Sequence, residues 1–259
     1  MHERLPAKCF LSHSYADVAT RDRLILELPP HVEAVVFPPI TVEPDQFVSN
    51  QLIGALLDCD GLIYLRGGRS AQSFWVAFER DYALRAGKQV FAADPVTFDL
   101  TRDVESPLDL AAFASYHRDD APRVREIADY MTRERYFDLW LDTANIKAGS
   151  DFQTEISQSL ADRLKRGGYA VIFWSRRASE SAWVRREIEM AAQGVANFND
   201  RVLFALLDDC AIPQFWTKYQ DPSVQLYSDA RRSAAHRLDD LVVRLYWLIY
   251  RKTKKAEGG

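Results

Sequence analysis

A seven-residue pattern, Ser-x-Trp-Val-x-x-Glu, occurs twice in this chain, at residues 73–79 and again at residues 181–187. Its tryptophans, Trp75 and Trp183, are 108 positions apart. Solenoid repeats have periods of about 20 to 50 residues, whereas this period has the size of a small domain. The spacing therefore predicts a duplicated domain.

The elements around the two copies also follow one order. Short runs rich in Val, Ile, Leu and Phe alternate with longer amphipathic stretches, as in a parallel sheet covered by helices on both faces. Further identities fall in register: Phe10-Leu11-Ser12 matches Phe113-Ala114-Ser115, 103 positions later. The pattern predicts an α/β chain with strands at 8–12, 33–37, 61–65, 89–93, 110–115, 137–141, 169–175 and 202–207. It predicts helices at 18–28, 47–57, 74–86, 121–134, 151–166 and 182–193.

The join between the copies is expected between Pro95 and Pro107, because proline is disfavoured inside helices and strands. The predicted domains are residues 1–106 and residues 107–259. Apolar residues at helical spacing over 229–252 predict an additional C-terminal helix in the second domain.

The formal net charge of -4 provides no field that would concentrate nucleic acid or an anionic membrane surface. The apolar runs are far shorter than the roughly 20 residues of a membrane-spanning helix, and the N-terminus has no signal-peptide pattern. We therefore expect a cytoplasmic protein without a nucleic-acid or membrane partner. The three cysteines, Cys9, Cys59 and Cys210, fit core packing better than a disulfide framework or a zinc site.

The second copy resembles a Toll/interleukin-1-receptor (TIR) domain in three motifs that occur in the family's order. They are residues 113–120, residues 140–149, and Ser175 followed by residues 181–187. Each lies at the carboxyl end of a predicted strand or the start of the next helix, where ligands bind in open α/β sheets. The resemblance implies two flavodoxin-like TIR domains, each a parallel sheet of about five strands with helices on both faces.

The first copy resembles the same family less completely. Residues 10–17 and 73–79 match, but the loop at residues 37–45 carries several prolines. Pro38 stands where the second copy has Asp142, Pro44 and Asp45 replace Ala148 and Gly149, and Gly67 replaces Ser175. The expectation is a catalytic second copy and a weakened or specialised first copy that serves regulation or assembly.

Catalytic members of the family cleave the nicotinamide–ribose bond of NAD+, and the resemblance assigns the catalytic glutamate to Glu187 and Glu79. Loss of nicotinamide leaves positive charge on the ribose, which a carboxylate can stabilise. Trp75 and Trp183 stand four residues before these glutamates and share their helix face, so each could wall a cationic pyridinium ring. For an isolated helix, the alternative is a core tryptophan and a solvated glutamate.

The resemblance also implies substrate contacts at the strand ends and around the gating loop, where Gly149 would act as a hinge. The candidate substrate-binding residues are Ser115, Tyr116, Arg118, Asp142, Gly149, Ser175, Ser181, Trp183, Ser12, His13, Ser73 and Trp75. The sequence has no Gly-x-Gly-x-x-Gly, phosphate-loop or His-Glu-x-x-His motif. NAD+ would therefore be a substrate and not a resident cofactor, and no metal is implied.

The resulting prediction is an NAD+ glycohydrolase or ADP-ribosyl cyclase in bacterial antiphage defence or NAD-derived signalling. Its expected partners are NAD+, other TIR domains through self-assembly, and a separate sensor or effector protein. The alternative is a non-enzymatic TIR adaptor that acts through TIR–TIR assembly. The presence of Ser, Trp and Glu in both copies favours the enzyme, because an interaction surface has no chemical need for that set.

Overall fold

The computed structural model describes residues 4–37, 48–108, 112–141, 164, 168–194, 198, 201–212, 224–226 and 234–257. The chain divides into two compact units, Met1–Asp109 and Leu110–Gly259, and each contains its own five-stranded sheet. The predicted α/β class with parallel sheets is confirmed. We refer to the two parts as unit 1 and unit 2.

Unit 1 is a mixed sheet whose strand order is β2-β1-β3-β4-β5. The first four strands pair in parallel, and the fifth runs antiparallel to the fourth. Its strands are β1 (Lys8–Ser12), β2 (Glu33–Val35), β3 (Gly61–Leu65), β4 (Gln89–Ala93) and β5 (Leu100–Arg102). Its helices are α1 (Val18–Glu27), α2 (Val48–Leu57) and α3 (Phe74–Arg85).

The stretch between Pro95 and Pro107, where the join between the two copies was expected, contains the edge strand β5, which the sequence pattern did not predict. Arg102 pairs with Phe91 of β4, and the chain leaves unit 1 only after this strand. The three residues of β5 are half-buried or exposed and form no apolar run. Backbone pairing at a sheet edge defines this strand, so hydrophobic periodicity gives no signal for it.

In the described part of unit 2, the strands pair in parallel and their order is β10-β9-β8-β6-β7. The strands are β6 (Ala112–Tyr116), β7 (Leu139–Leu141), β8 (Tyr169–Trp174), β9 (Val202–Leu206) and β10 (Val224–Gln225). The helices are α4 (Ala121–Arg135), α5 (Arg176–Glu180), α6 (Ala182–Gly194) and α7 (Ala234–Glu257). The helix predicted at 151–166 lies outside the described residues, apart from Leu164.

Helix α7 packs one apolar face on unit 2, as its spacing predicts. Leu241, Leu245 and Ile249 are buried and recur at four-residue intervals. The helix contacts α4, β9 and β10. The fully buried carboxylate of Asp239 forms an ion pair with Arg135 at the end of α4. Removing either partner would leave the other charge buried without its counterpart, which is costly.

Both units have the same strand order when their strands are numbered from the start of each unit: second, first, third, fourth, fifth. In this flavodoxin-like order, the chain reverses direction across the sheet between the first and third strands. A crevice opens there outside the carboxyl ends of the strands. The fold therefore points to the segments that follow β1 and β3, and to those that follow β6 and β8.

Within the described residues, no helix is both long and apolar enough to cross a membrane.

Candidate functional site

The segment after β1 is tied to the segment after β3 by one carboxylate. Asp17 accepts hydrogen bonds from the backbone N–H and the hydroxyl of Ser70, both at 2.6 Å. The Ser70 hydroxyl in turn accepts one from the backbone N–H of Ser14 at 2.8 Å. Gly68 allows this approach: its φ is +63°, and a Cβ there would lie 2.7 Å from an Asp17 carboxylate oxygen. The crevice edge is thus defined by side-chain contacts between two loops.

Ser73 directly precedes α3 and acts as its N-cap, accepting a hydrogen bond from the backbone N–H of Val76 at 3.4 Å. This cap sets the phase of the helix. Trp75 and Glu79 then lie one turn apart, and both line one cavity. Trp75 is 39% exposed, and its ring packs edge-on against Phe74 and Phe78.

The cavity has a volume of about 210 Å³ and lies beside the carboxyl end of β1. Its wall combines one acid with aromatic, apolar and small polar side chains. The lining residues are Phe10, Leu11, His13, Ser14, Tyr15, Phe37, Leu52, Ser73, Trp75 and Glu79. Phe37 is the last described residue before the proline-rich loop of the first copy. The rest of that loop, from Pro38 onward, lies outside the described residues.

Glu79 is only 7% exposed, and this burial raises the pKa of its carboxyl to about 8. The Ser12 hydroxyl partly offsets that rise by lowering the pKa. Ser12 is itself buried and forms no hydrogen bond of ordinary geometry among the described residues. A buried acid and a buried hydroxyl thus lie next to each other, and a cationic ligand in the cavity that Glu79 lines would complement the acid.

His13 lines the cavity, but both of its ring nitrogens have partners. Nδ1 is 3.3 Å from the carbonyl oxygen of Leu11, and Nε2 is 3.0 Å from a guanidinium nitrogen of Arg21. A guanidinium can only donate, so Nε2 accepts and Nδ1 donates. Burial, with Arg21 nearby, lowers the pKa of the imidazole and outweighs the opposing effect of the Leu11 carbonyl. His13 is therefore a neutral wall residue at neutral pH.

Ser70 was missed by sequence reasoning, which treated the serine of this region as lost at Gly67. Ser70 makes the contact with Asp17 that Ser175 makes with Asp120 in unit 2. Gly67 itself cannot carry a side chain without rearrangement, because a Cβ there would lie 2.4 Å from Cγ of Pro95. The aspartates could have revealed the equivalent contact. Asp17 and Asp120 are 103 positions apart, which is also the spacing of the matching residues in the first strands.

Unit 2 repeats this arrangement at the ends of β6 and β8. The Ser175 hydroxyl donates to Asp120 at 2.5 Å and accepts from the backbone N–H of Ala178, so it caps α5. Arg177 also pairs with Asp120, at 3.2 Å. Ser175, proposed as a substrate contact, therefore has two structural hydrogen bonds.

Other candidates in unit 2 lie in different environments. Ser115 is buried within β6, and Tyr116 is the half-buried last residue of that strand. The side chain of Arg118 is 84% exposed and lies 3.6 Å from Asp119. A cavity of about 500 Å³ lies at the ends of β8 and β9, and Arg118 does not line it. The lining residues are Asp119, Asp120, Pro122, Arg123, Ser175, Arg176, Arg177, Glu180, Leu207, Asp208 and Asp209.

Helix α6 carries the second copy of the repeated motif. The Ser181 hydroxyl accepts from the backbone N–H of Val184 at 3.3 Å, which parallels the Ser73 cap. The backbone of α6 places Trp183 and Glu187 one turn apart, but their side chains lie outside the described part of the structure. Asp142 and Gly149 also lie outside the described residues.

A comparison with known protein families matches residues 112–242 to the TIR domain. The match spans slightly more than half of the 259 residues and covers most of unit 2. No curated protein matches the chain. The matched range includes the Asp120–Ser175 contact, the crevice between β6 and β8, and the Glu187 motif. This chain therefore belongs to the TIR domain family.

Proposed function

We propose that this protein is a TIR-domain NAD+ nucleosidase that cleaves the nicotinamide–ribose bond, with water or an internal nucleophile completing the reaction as a glycohydrolase or cyclase. Glu187 in unit 2 and Glu79 in unit 1 are the proposed catalytic carboxylates. NAD+ is a substrate in this scheme, and no resident cofactor or metal is required. Antiphage defence or NAD-derived signalling in a bacterium is the proposed setting.

One observation carries the proposal: Glu79 is buried beside Trp75 in a cavity at the switch point of a flavodoxin-like sheet. Among the described residues, only the Ser12 hydroxyl offsets the burial of the Glu79 carboxyl, and burying an acid in this way is costly. Acids with strongly shifted pKa values cluster at functional sites. A pyridinium ring against Trp75 would bring positive charge toward Glu79 and favour ionisation of the carboxyl. The same carboxylate would then stabilise positive charge on the ribose as nicotinamide departs.

Unit 1 is proposed to be a second, diverged TIR domain. Its support is the shared strand order and the matching Asp17–Ser70 and Asp120–Ser175 contacts. Two such units in one chain would raise the local concentration of one surface around another, which favours assembly with further copies or a separate TIR protein.

The test is nicotinamide release from NAD+ by the full chain, at high protein concentration with and without a crowding agent. Glu187→Gln and Glu79→Gln each remove one acid. The matched controls are Glu189→Gln on α6 and Glu27→Gln on α1, both at exposed positions. Activity lost with one glutamine variant identifies the working unit, and activity lost only in the double variant identifies both.

No release by the wild-type protein under any of these conditions would contradict the enzyme proposal. The adaptor alternative would then be tested by concentration-dependent assembly of the same purified chain.

A further inference from the structure

The segment through which the chain leaves unit 1 is fastened to helix α3. This segment, residues 103–108, follows β5 directly and ends at the last described residue of unit 1, and we call it the strap. Its first residue, Asp103, accepts hydrogen bonds on both carboxylate oxygens from Arg80 of α3, at 2.6 and 2.9 Å. Tyr64 donates to the same carboxylate at 2.9 Å, and Glu105 pairs with Arg80 at 3.1 Å. The first half of the strap is therefore bound to the side chain of Arg80.

The end of the strap is held at Leu108 through both of its backbone groups. The N–H of Leu108 donates to the carboxylate of Asp81 at 3.1 Å, and its carbonyl oxygen accepts from the guanidinium of Arg85. Arg80 connects the two attachments, because it also pairs with Asp81 at 2.7 Å. The carboxylates of Asp81 and Asp103 are buried, so solvent screens these bonds little.

The strap and the cavity lie on different sides of α3. An α-helix turns by about 100° per residue, so Asp81 points about 200° away from Glu79 around the helix axis. Trp75 and Glu79 face the cavity, whereas Arg80 and Asp81 lie on the flanks of the outer side, where the strap is attached. The inner side of α3 contacts β1, β3 and β4. The helix is thus held between the sheet and the strap.

This arrangement bears on Glu79 because a carboxyl is most stable in water. Its burial on the inner side of α3 costs free energy, and an outward shift of the helix would let water reach the carboxyl. The apolar side chains of Phe78 and Tyr82 on the same helix oppose such a shift through their own burial. The strap adds charge-assisted hydrogen bonds that oppose it from the outer side.

The residues that hold the strap are specific to the first copy of the repeated motif. Directly after the motif, unit 1 has Arg80 and Asp81, whereas the positions 108 residues later are Ile188, which is buried, and Glu189, which is exposed. The fifth strands differ as well. In unit 1 the antiparallel strand β5 returns the chain toward α3, whereas β10 of unit 2 runs parallel to β9. The strap therefore accompanies a change in chain path that unit 1 alone has made.

We propose that Arg80, Asp81 and Arg85 are positioning residues for Glu79: by fastening the strap to α3 they hold the helix on the sheet and keep the Glu79 carboxyl inside the cavity. The inference rests on the proposed function for the role of Glu79, whereas the role of the strap rests on its hydrogen bonds and ion pairs. Since the strap is also the segment that leaves unit 1, its displacement would change the setting of the acid.

The experiment follows the Glu79 carboxyl by carbon-13 NMR of the full chain, with Glu79→Gln used to assign the resonance. In the wild type this carboxyl should titrate near pH 8. Arg85→Met removes the donor to the Leu108 carbonyl, and Leu108→Pro removes the N–H that Asp81 accepts. We expect each variant to lower the midpoint by at least about one pH unit, because water at the carboxyl relieves part of the desolvation that raises its pKa.

The sign of the change separates positioning from direct electrostatics. Loss of the Arg85 cation by itself would raise the pKa of a nearby carboxyl, whereas release of the strap lowers it, and Leu108→Pro changes no charge. Arg85→Lys keeps a donor for the Leu108 carbonyl and should retain the wild-type midpoint. Glu105→Ala removes only an exposed partner of Arg80 and should also leave the midpoint unchanged.

Leu24→Ala controls for a general loss of stability, because Leu24 packs in a core cluster formed by α1, β1, β3 and β4. It should destabilise unit 1 without moving the midpoint. An unchanged or raised midpoint in both strap variants would overturn the inference, as would an equal fall in Leu24→Ala. Circular dichroism checks folding, and Leu108→Pro, which leaves every side chain of α3 unchanged, decides the outcome if Arg85→Met does not fold.

Nicotinamide release from NAD+ tests the proposed function separately. It is measured on the chain carrying Glu187→Gln, with and without the strap variants, over the same pH range. Glu79-dependent release, with a midpoint that the strap variants do not move, would reject this inference alone. A midpoint that falls as expected in a chain that releases no nicotinamide would reject the role of unit 1 in the proposed function and support the strap.

Discussion

The carboxylate of Asp17 accepts two hydrogen bonds from Ser70, 53 positions away in the chain, and so joins the loops that follow β1 and β3. Asp120 and Ser175 form the same kind of contact in unit 2. Burial acts to raise the pKa of Asp17, but the hydrogen bonds from Ser70 and Arg69 outweigh it and lower the pKa below its usual value. The contact therefore holds the crevice edge with an ionised carboxylate.

Ser70→Ala should lower the free energy of unfolding by about 2 kcal/mol, because it removes a hydrogen bond to a charged group. The contribution should be present above the ordinary aspartate pKa and be lost as pH falls through the lowered pKa of Asp17. Urea unfolding at pH 7 and at acidic pH measures both effects. Ser106→Ala, at an exposed position, is the matched control, and an equal effect of the two variants would contradict the prediction.

The stability of Glu79→Gln relative to the wild type should increase as pH rises. The folded-state pKa of Glu79 is raised to about 8 from 4.5, so its stabilising contribution is complete below 4.5 and is lost as pH rises toward 8. The stability of the wild type relative to the variant should fall by roughly 1.4 kcal/mol per pH unit in that window and then level off. Thermal unfolding from pH 5 to 9 measures this, with Glu27→Gln as a control whose difference from the wild type stays constant.

Ser12→Ala should move this window to higher pH, because the Ser12 hydroxyl lowers the pKa of Glu79. Carbon-13 NMR of glutamate side chains can follow the carboxyl directly, with Glu79→Gln used to assign its resonance. Ser12→Thr keeps the hydroxyl and should restore the wild-type midpoint. An unchanged midpoint in the alanine variant would show that the hydroxyl does not act on Glu79.

The ion pair between Arg80 and Asp103 should be costly to break, since the Asp103 side chain is 4% exposed. Arg80 binds both carboxylate oxygens, at 2.6 and 2.9 Å, and Tyr64 donates to the same carboxylate. Asp103→Ala should cost about 3 kcal/mol, because the partly buried guanidinium loses two hydrogen bonds while Asp81 still pairs with it at 2.7 Å.

Glu105→Ala is the matched control for that measurement. Glu105 pairs with the same Arg80, but its side chain is 84% exposed, so its loss should cost no more than about 1 kcal/mol. Chemical unfolding of both variants at one pH compares them. Similar costs would show that burial does not set the strength of these pairs.

Gly67→Ala and Gly54→Ala should have opposite effects. A Cβ at Gly67 would lie 2.4 Å from the ring of Pro95, so overpacking should cost about 1–3 kcal/mol. Gly54 is exposed within α2, a Cβ there would have no atom within 4 Å, and alanine should add up to about 1 kcal/mol of stability through helix propensity. Thermal unfolding of the two variants shows whether each substitution raises or lowers stability. Stabilisation by Gly67→Ala would contradict the steric argument.

Local patterns in the sequence determined much of the fold. The strands β1, β3 and β4 occur at the predicted residues, because continuous apolar runs must be buried between layers of helices. The four-residue spacing of Trp75 and Glu79 placed them on one helix face, and both line one cavity. The TIR resemblance of the second copy agrees with the family match over residues 112–242.

The tertiary structure decided the features that depend on distant residues. Sequence periodicity could not reveal β5, which exists through backbone pairing with β4 at the sheet edge. It also could not reveal that Ser70 bonds to Asp17, or that Pro95 excludes a side chain from Gly67. Above all, the sequence placed a glutamate on α3, but only the packing around it removed the carboxyl from water and raised its pKa. Desolvation depends on every group that surrounds an acid, and those groups come from separate parts of the chain.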